Sequence, residues 1–439
     1  MRKLLVCLWC LALGAALSAD NWPSWRGPLG RGVTPETGLP TSWSMTSNVA
    51  WRAALPGAGV SSPIVWDDLV VATSQRGVSE RREGSHPSLV QGADAAASGE
   101  RTLAGRANAA GPVTFVVSAF RWSNGTTAWT HEVRAEGPLA PVHDKHNLAS
   151  PSPVTDGQVV VAWFGTGQVV ALDHAGKVLW SKHLGQEAPL DIQWGHSSSP
   201  ALHRDTVYLL CYQPSGAYLL ALDKRTGAVR WKHTRERGVI SYSTPVVISG
   251  PQGDVVLVNS STGIEALRAE TGALVWQIKE DNRFPIPVAS LVDGVIYTTR
   301  GYRSGPYWAI KPGGSGEVTP TDAAWRLATG APYISSLVVY DGLLYSAGDA
   351  GIITCLDAKT GDRVWQERVG GAFSASPIAG DGKVYFVSES GETVVMRAGR
   401  TAEILARNKL DAHFVASPAA SRGRLFLRGD DVVFAVGTR

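Results

Sequence analysis

The sequence predicts an all-β protein, an eight-bladed β-propeller of four-stranded antiparallel blades in which the N-terminal strand closes the last blade. Three observations carry this. A glycine is followed four residues later by a tryptophan at Gly125/Trp129, Gly176/Trp180, Gly227/Trp231, Gly272/Trp276 and Gly361/Trp365. Around three of these pairs the chain nearly repeats itself: ALDKRTGAVRW ends at Trp231, ALRAETGALVW at Trp276 and CLDAKTGDRVW at Trp365. Between them lie short runs of β-forming residues separated by turn chemistry, and no long stretch carries a 3.6-residue apolar period. A seven-bladed ring is the alternative if the last two units are divided differently.

The chain opens with Arg2 and Lys3, an apolar run from Leu4 to Leu17, and then Ser18-Ala19. This is the pattern of a secretory signal peptide cleaved near Ala19, which predicts a periplasmic or secreted protein. The run is short for a bilayer span, so no stable membrane span is expected. Cys7 and Cys10 do not follow the small residues of a lipoprotein signal. Residues 20–47 form an N-terminal arm, and Trp22 and Trp25 are expected to pin it to the ring.

Residues 48–439 read as a single propeller domain. The first unit begins at Ser61 and ends around Trp129, with a long insertion at 76–112. That insertion has clustered charge at Glu80–Glu83 and then an Ala/Gly-rich run, and no strand is assigned to it. Units two, three and four start near Ser150, Ser197 and Tyr242 and carry Trp180, Trp231 and Trp276. Unit five starts near Ile286 and carries Trp325, with shorter insertions at Gly301–Gly305 and Lys311–Asp322. Unit six starts near Tyr333 and carries Trp365. Unit seven, from Ser374, has Leu405 near the expected tryptophan position. The last unit is split. Three strands lie around Ser417, Arg424 and Val432, and the fourth is Asn48–Arg52, which carries Trp51. Joining the two ends removes the exposed sheet edges.

Within a unit, Asp223-Lys224-Arg225-Thr226-Gly227 supplies a turn: the aspartate accepts backbone hydrogen bonds and the glycine takes positive φ. The tryptophans Trp51, Trp129, Trp180, Trp231, Trp276, Trp325 and Trp365 are read as blade-docking residues. Each ring fills the wedge between adjacent sheets, and each indole N–H reaches a carbonyl of the next blade.

The chain has 41 basic and 38 acidic residues, and loss of Arg2 and Lys3 leaves 39 against 38. That balance gives no argument for nucleic acid. Of four cysteines, Cys211 and Cys355 lie beyond the signal segment, too few for a disulfide scaffold. Each sits in an apolar strand-like run, so two buried thiols are expected, with one long-range bridge as the alternative. No phosphate-binding glycine loop, HExxH or G-x-S-x-G motif occurs.

Candidate ligand-binding residues cluster before the first strands of units two and three. His143, Asp144, Lys145, His146 and Asn147 precede the second unit, and His196 precedes the third. Propeller first strands line the central channel, so these loops surround one mouth. Asp144, His146 and His196 offer carboxylate and imidazole ligands for a metal, or a base for proton transfer. Arg121, Lys145 and Arg303 are candidates for an anion-binding rim. The alternative is that these groups cap blade edges and bind water.

The motif AxDxxTGxxxW, preceded by SPxxxxDGxxY, resembles the repeat of the pyrroloquinoline quinone (PQQ)-like, quinoprotein-type β-propeller superfamily over most of residues 48–439. NWPSWRGPLGRGVTPETGLPTSW and KHNLASPSPVTDG are similar to exported proteins of its BamB-like, planctomycete-type non-catalytic branch. The dehydrogenase branch implies a cofactor held between a tryptophan and a disulfide of adjacent cysteines, with calcium and a catalytic aspartate. This sequence has no Cys-Cys pair and no haem-attachment CxxCH. The resemblance therefore implies an exported, monomeric scaffold or binding protein, without catalysis or cofactor, recognising a protein or cell-envelope partner. The alternative is an oxidoreductase using PQQ with calcium, or a transition metal, at an atypical site in the propeller mouth.

Overall fold

Each predicted unit becomes one sheet. In the computed structural model, which describes residues 21–77, 112–140, 142–143, 145–186, 192, 194–250, 253–302, 305–311, 316–317 and 323–437, the described strands form eight sheets. The signal segment 1–19, Asp144, Arg303 and residues 78–111 of the predicted insertion lie outside the described residues.

Blade one contains Ile64–Trp66, Leu69–Arg76, Thr114–Arg121 and Thr127–Arg134, and blade two Val154–Thr155, Val160–Trp163, Gln168–Leu172 and Val178–His183. Blade three contains Ala201–His203, Thr206–Cys211, Tyr218–Asp223 and Val229–Thr234, and blade four Val246–Gly250, Gly253–Ser260, Gly263–Arg268 and Leu274–Lys279. Blade five contains Ser290–Val292, Val295–Thr299, Tyr307–Ile310 and Ala323–Leu327, and blade six Val338–Tyr340, Leu343–Ala347, Ile352–Asp357 and Arg363–Arg368. Blade seven contains Ile378–Gly380, Lys383–Val387, Glu392–Arg397 and Ile404–Lys409. Blade eight contains Ala419–Ser421, Arg424–Arg428 and Val432–Val436, and Val49–Ala54 completes it by pairing antiparallel with Val432–Val436, Trp51 opposite Ala435. The insertion of blade five supplies Gly316–Glu317, which pairs parallel with Trp276 and Gln277 on the outer edge of blade four.

The tryptophan does the predicted work. The indole N–H groups of Trp51, Trp129, Trp180, Trp231, Trp325 and Trp365 donate to Trp122 O, His174 O, Lys224 O, Ala269 O, Ala358 O and Gly399 O, each on the following blade, at 2.8–3.0 Å. Trp276 is buried against the fifth blade's core. In two blades a tyrosine of the second strand shares the acceptor: Tyr208 OH donates to Ala269 O and Tyr297 OH to Ala358 O.

The glycine of the repeat has a second role. At Gly227, φ is +68°, and a Cβ would lie 2.7 Å from Trp180 Cε3. Gly125, Gly176, Gly272 and Gly361 seat Trp51, Trp129, Trp231 and Trp325 in the same way. Each glycine is thus both a left-handed turn residue and the floor on which the preceding blade's indole rests.

Blade seven departs from the sequence reading. Its outer strand pairs Val395 with Ala406, the register at which the other blades pair a small residue with tryptophan, as in Ala221 with Trp231. Ala406, not Leu405, therefore stands in the tryptophan position; Leu405 falls at the bulge. The arm compensates. Trp43 and Leu39 join the hydrophobic cluster containing Val395, and the arm is tied to this strand by Trp43 N–H donating to Asn408 Oδ1 at 2.9 Å and Asn408 Nδ2 to Thr41 O at 2.9 Å.

The inner strands are joined by hydroxyl latches. Backbone N–H groups of Ser62, Ser152 and Ser199 donate to Ser152 Oγ, Ser199 Oγ and Thr244 Oγ1, and those of Val288, Ser336 and Ser376 to Ser336 Oγ, Ser376 Oγ and Ser417 Oγ, at 2.8–3.1 Å. These span six of the eight blade junctions. At the other two a buried arginine crosses instead. Arg300 of blade five donates to Gly263 O, Ser260 O and Glu280 O of blade four, and Arg428 of blade eight donates to Ser61 O and Oγ beside blade one.

The arm crosses the lower face of the ring. Trp22 pairs with Val65 of blade one, Pro23 O accepts from Thr155 N–H of blade two, and Val33 bridges to Ala379 of blade seven. The fully buried Arg26 donates to Leu337 O, Pro377 O, Gly30 O and Arg31 O. Cys211 and Cys355 are free, buried thiols in separate blades. Among the described residues, no helix is long and apolar enough to cross a membrane.

Candidate functional site

In each antiparallel blade, the segment before the first strand and the turn between the second and third strands lie on one face. The eight such sets meet around the channel and form its upper mouth. Counting back two residues from the latch position of each blade gives Val60, Ser150, Ser197, Tyr242, Ile286, Ile334, Ser374 and Val415, and all eight line one cavity of about 190 Å³. Trp25 of the arm closes it from below, its indole N–H donating to Ser417 Oγ at 3.3 Å. His143, Lys145, His146, Trp194, Phe284 and Tyr333 form the rim above.

The rim has two unlike halves. On the side of blades three to six, aromatic rings pack edge to face. Trp194, Tyr242 and Tyr302 each meet Phe284, at centroid separations of 6.4, 6.3 and 4.9 Å, and Tyr302 meets Tyr333 at 5.4 Å. On the side of blades six to eight, the turns between second and third strands carry Asp349, Glu389 and Asp430 at equivalent repeat positions. Lys145, from the loop before blade two, reaches over the channel and donates to both Glu389 carboxylate oxygens at 3.0 Å. Ser374 Oγ donates to Glu389 Oε1 at 2.5 Å, His413 Nε2 lies 3.9 Å from Glu389 Oε2, and His413 Nδ1 lies 3.0 Å from Asp430 Oδ1.

These contacts set the charges. Burial opposes ionisation of Glu389, but His413, Lys145 and Ser374 together hold it down to about 2. Burial likewise opposes protonation of His413, and the carboxylates of Asp430 and Glu389 overcome it, raising the imidazole to about 9. Asp349 has the opposite fate: burial pushes it up to about 7, with Lys145 resisting and Glu389 reinforcing.

The structure brings His143, Lys145, His146 and Asn147 together at this mouth, with His196 beneath them. His143 and His146 stack at 6.4 Å, and His143 Nδ1 accepts from Lys145 N–H at 3.2 Å. His146 Nε2 lies 2.6 Å from Trp194 O, and burial lowers its affinity for a proton. His196 is buried against Trp163 at 4.1 Å and is driven down to about 3 by burial. Asn147 ties two blades, its Nδ2 donating to Ala58 O at 2.9 Å. Arg121 does not join them. It ends the third strand of blade one, on the lower face, and pairs with Asp68 at 3.1 Å. Asp144 and Arg303 lie outside the described residues, and with Asp144 so does the Asp144–His146–His196 metal set.

Sequence reading missed Asp349, Glu389, His413, Asp430 and the aromatic half of the rim. The signal was present in the repeat register: the residues two before each latch hydroxyl, and those in the second-to-third-strand turns, vary while their surroundings repeat.

The described lining offers PQQ little to bind its charges. PQQ is a planar tricarboxylate, and the rim's one described lysine is already paired with Glu389. The cysteines stand apart in two blade cores, and among the described residues no three His, Cys, Asp or Glu side chains are placed to hold a metal ion.

Comparison with known proteins agrees with the fold. The chain is 26% identical over 299 residues to outer membrane protein assembly factor BamB of Yersinia pestis, covering 62% of this chain and 70% of that protein. BamB of Moraxella catarrhalis superposes with a TM-score of 0.55 at 16% identity, covering 74% of this chain and 91% of that one. The same fold occurs in a europium-containing methanol dehydrogenase (TM-score 0.67, 11% identity, 94% and 90% covered) and in the quinohemoprotein alcohol dehydrogenase of Comamonas testosteroni (TM-score 0.62, 12% identity, 96% and 81% covered). The family model described as outer membrane protein assembly factor BamB matches residues 113–295, 314–403 and 349–438, most of the chain, and the protein belongs to that family.

Proposed function

We propose that this protein is a non-catalytic recognition scaffold of the cell envelope, which presents the upper mouth of its propeller to a protein partner. One observation carries the reading: Lys145, His413, Glu389 and Asp430 of the mouth neutralise one another across blades. Lys145 and His413 are held by Glu389 and Asp430, while His146 and His196 are kept neutral by burial. This arrangement rigidifies a surface. Kinship to an outer membrane assembly factor and the secretory pattern of residues 1–19 support the location.

The test has two arms. Protein purified without chelator is titrated with PQQ and either calcium or europium, and dye-linked alcohol oxidation is followed. Neither quinone uptake nor turnover is expected; stoichiometric uptake with alcohol-dependent dye reduction would overturn the reading. Fractionation of the native host with N-terminal sequencing is expected to find the chain outside the cytoplasm, starting after Ala19. Full-length protein confined to the cytoplasm would refute the location.

A further inference from the structure

The wall of the cavity beneath the mouth is built in two unlike arcs. In ring order from blade seven round to blade four, the latch positions carry Ser376, Ser417, Ser62, Ser152, Ser199 and Thr244, and all six line the cavity. Across the other arc, from blade four to blade six, the lining is Tyr242, Phe284, Ile286, Tyr333 and Ile334. The latch decides what the hydroxyl arc can do. Ser152, Ser199, Thr244, Ser376 and Ser417 each accept a backbone N–H at 2.8–3.0 Å. That bond uses an oxygen lone pair and leaves the O–H able to donate. None of the five donates to another described residue. At the seam Arg428 carries the junction through Ser61, so the Ser62 hydroxyl, in a residue 2% exposed, serves no latch at all. The hydroxyls one layer higher differ: Ser150, Ser197 and Ser374 donate to Asn147 O, Tyr242 O and Glu389 Oε1. Unspent donors are therefore gathered in the inner layer, just above Trp25.

We propose that this chamber binds a single neutral sugar ring, a pyranose. Such a ring is divided as the chamber is. Its rim carries hydroxyls that both donate and accept, and its faces carry C–H groups polarised positive. The C–H face matches the aromatic arc, whose rings are electron-rich on their faces. The rim hydroxyls match the latch arc. A latch oxygen that accepts an N–H polarises its own O–H, so each bond to the sugar is strengthened by the bond behind it. The same oxygens keep lone pairs for a ligand that must also donate, which an oxyanion never does. The cavity of about 190 Å³ has room for about six waters at ~30 Å³ each, which suits one ring rather than a chain of them. Every residue of both arcs is described, and the match calls on no formal charge.

The methyl glycosides of glucose, galactose, mannose and N-acetylglucosamine are the probes. Cyclohexanemethanol, a similar ring without the rim hydroxyls, and inorganic phosphate are the controls. Calorimetric titration of the full chain is expected to give one site for at least one glycoside, with Kd below about 10 mM, and no isotherm for either control. Ser62→Ala removes the one hydroxyl of the arc that holds no latch. It is expected to leave the urea midpoint unchanged and to weaken the glycoside about three- to tenfold, the worth of one neutral hydrogen bond. Phe284→Leu keeps apolar bulk but loses the ring, and is expected to weaken the glycoside severalfold. No isotherm below about 10 mM with any of the four glycosides, equal binding of cyclohexanemethanol, tighter binding of phosphate, or unchanged glycoside affinity in both variants would each overturn the proposal. The inference goes beyond the scaffold reading, and the two fail separately: a chamber that ignores glycosides leaves the envelope location and the lack of quinone uptake untouched.

Discussion

Gly227→Ala tests the blade wedge at its seat. Gly227 has φ +68°, and an added Cβ would lie 2.7 Å from Cε3 and 2.8 Å from Cδ2 of Trp180. Two costs follow. Placing an L-residue in the left-handed region costs about 1–2 kcal/mol, and forcing a methyl into a packed contact costs about 1–3 kcal/mol. The indole cannot retreat freely, because its N–H is fixed on Lys224 O at 2.8 Å. Gly382 supplies the control: its φ is +67°, and a Cβ there meets nothing within 4 Å. Gly382→Ala carries the strain alone. In urea unfolding followed by far-ultraviolet circular dichroism, Gly227→Ala is expected to lose about 1–3 kcal/mol more than Gly382→Ala. In a Trp180→Leu background that surplus is expected to vanish, because the clashing ring is gone. Equal losses in the two alanine variants, or a surplus that persists without the indole, would refute the wedge.

The mouth network predicts a pH profile for stability. Glu389, held at about 2, contributes above its ordinary 4.5 and loses that contribution as pH falls toward 2. His413, raised to about 9, contributes fully below 6.5 and loses it as pH rises through 9. Asp349, raised from 3.8 to about 7, destabilises the fold progressively over that interval. His196, driven down to about 3, works the other way below 6.5, so the test is a difference: Asp349→Asn is expected to raise the urea midpoint more at pH 8.5 than at pH 5.5, and equal gains at the two pH values count against the network. Burial pushes both Cys211 and Cys355 up to about 12. A thiol reagent at pH 8 is expected to leave both untouched in the folded protein and to find both free after denaturation, whereas a chain with a disulfide between them would show neither.

The architecture was legible because three residues of the repeat perform separate tasks at fixed spacing. Asp223 accepts from Arg225 and Thr226 N–H at 3.0 Å, Gly227 turns the chain, and Trp231 fills the next wedge. A sequence that must satisfy all three leaves little room for another fold. Where one task is delegated elsewhere, the pattern misleads. Ala406 holds the tryptophan register of blade seven, and the filling comes from Leu39 and Trp43, more than 360 residues earlier. No local spacing announces such a loan.

The mouth was harder to read for a related reason. Lys145 and Glu389 are 244 residues apart, and their pairing exists because the ring closes. Spacing within a unit shows which side chains face the channel but not which of them meet over it. The two buried arginines make the same point in the framework. The latch hydroxyl is absent at Val288, and Arg300 of the same blade carries that junction through blade-four carbonyls. At the seam where the chain's ends meet, Arg428 reaches back to Ser61. Six junctions can each be held by one hydroxyl because the repeat presents N–H and Oγ in register. A junction that lacks the hydroxyl, or that must join the two ends, needs a longer donor with several N–H groups. Guanidinium supplies it, and burial among carbonyls lowers its affinity for a proton while leaving it charged at neutral pH. Irregularity in the latch is what these arginines answer.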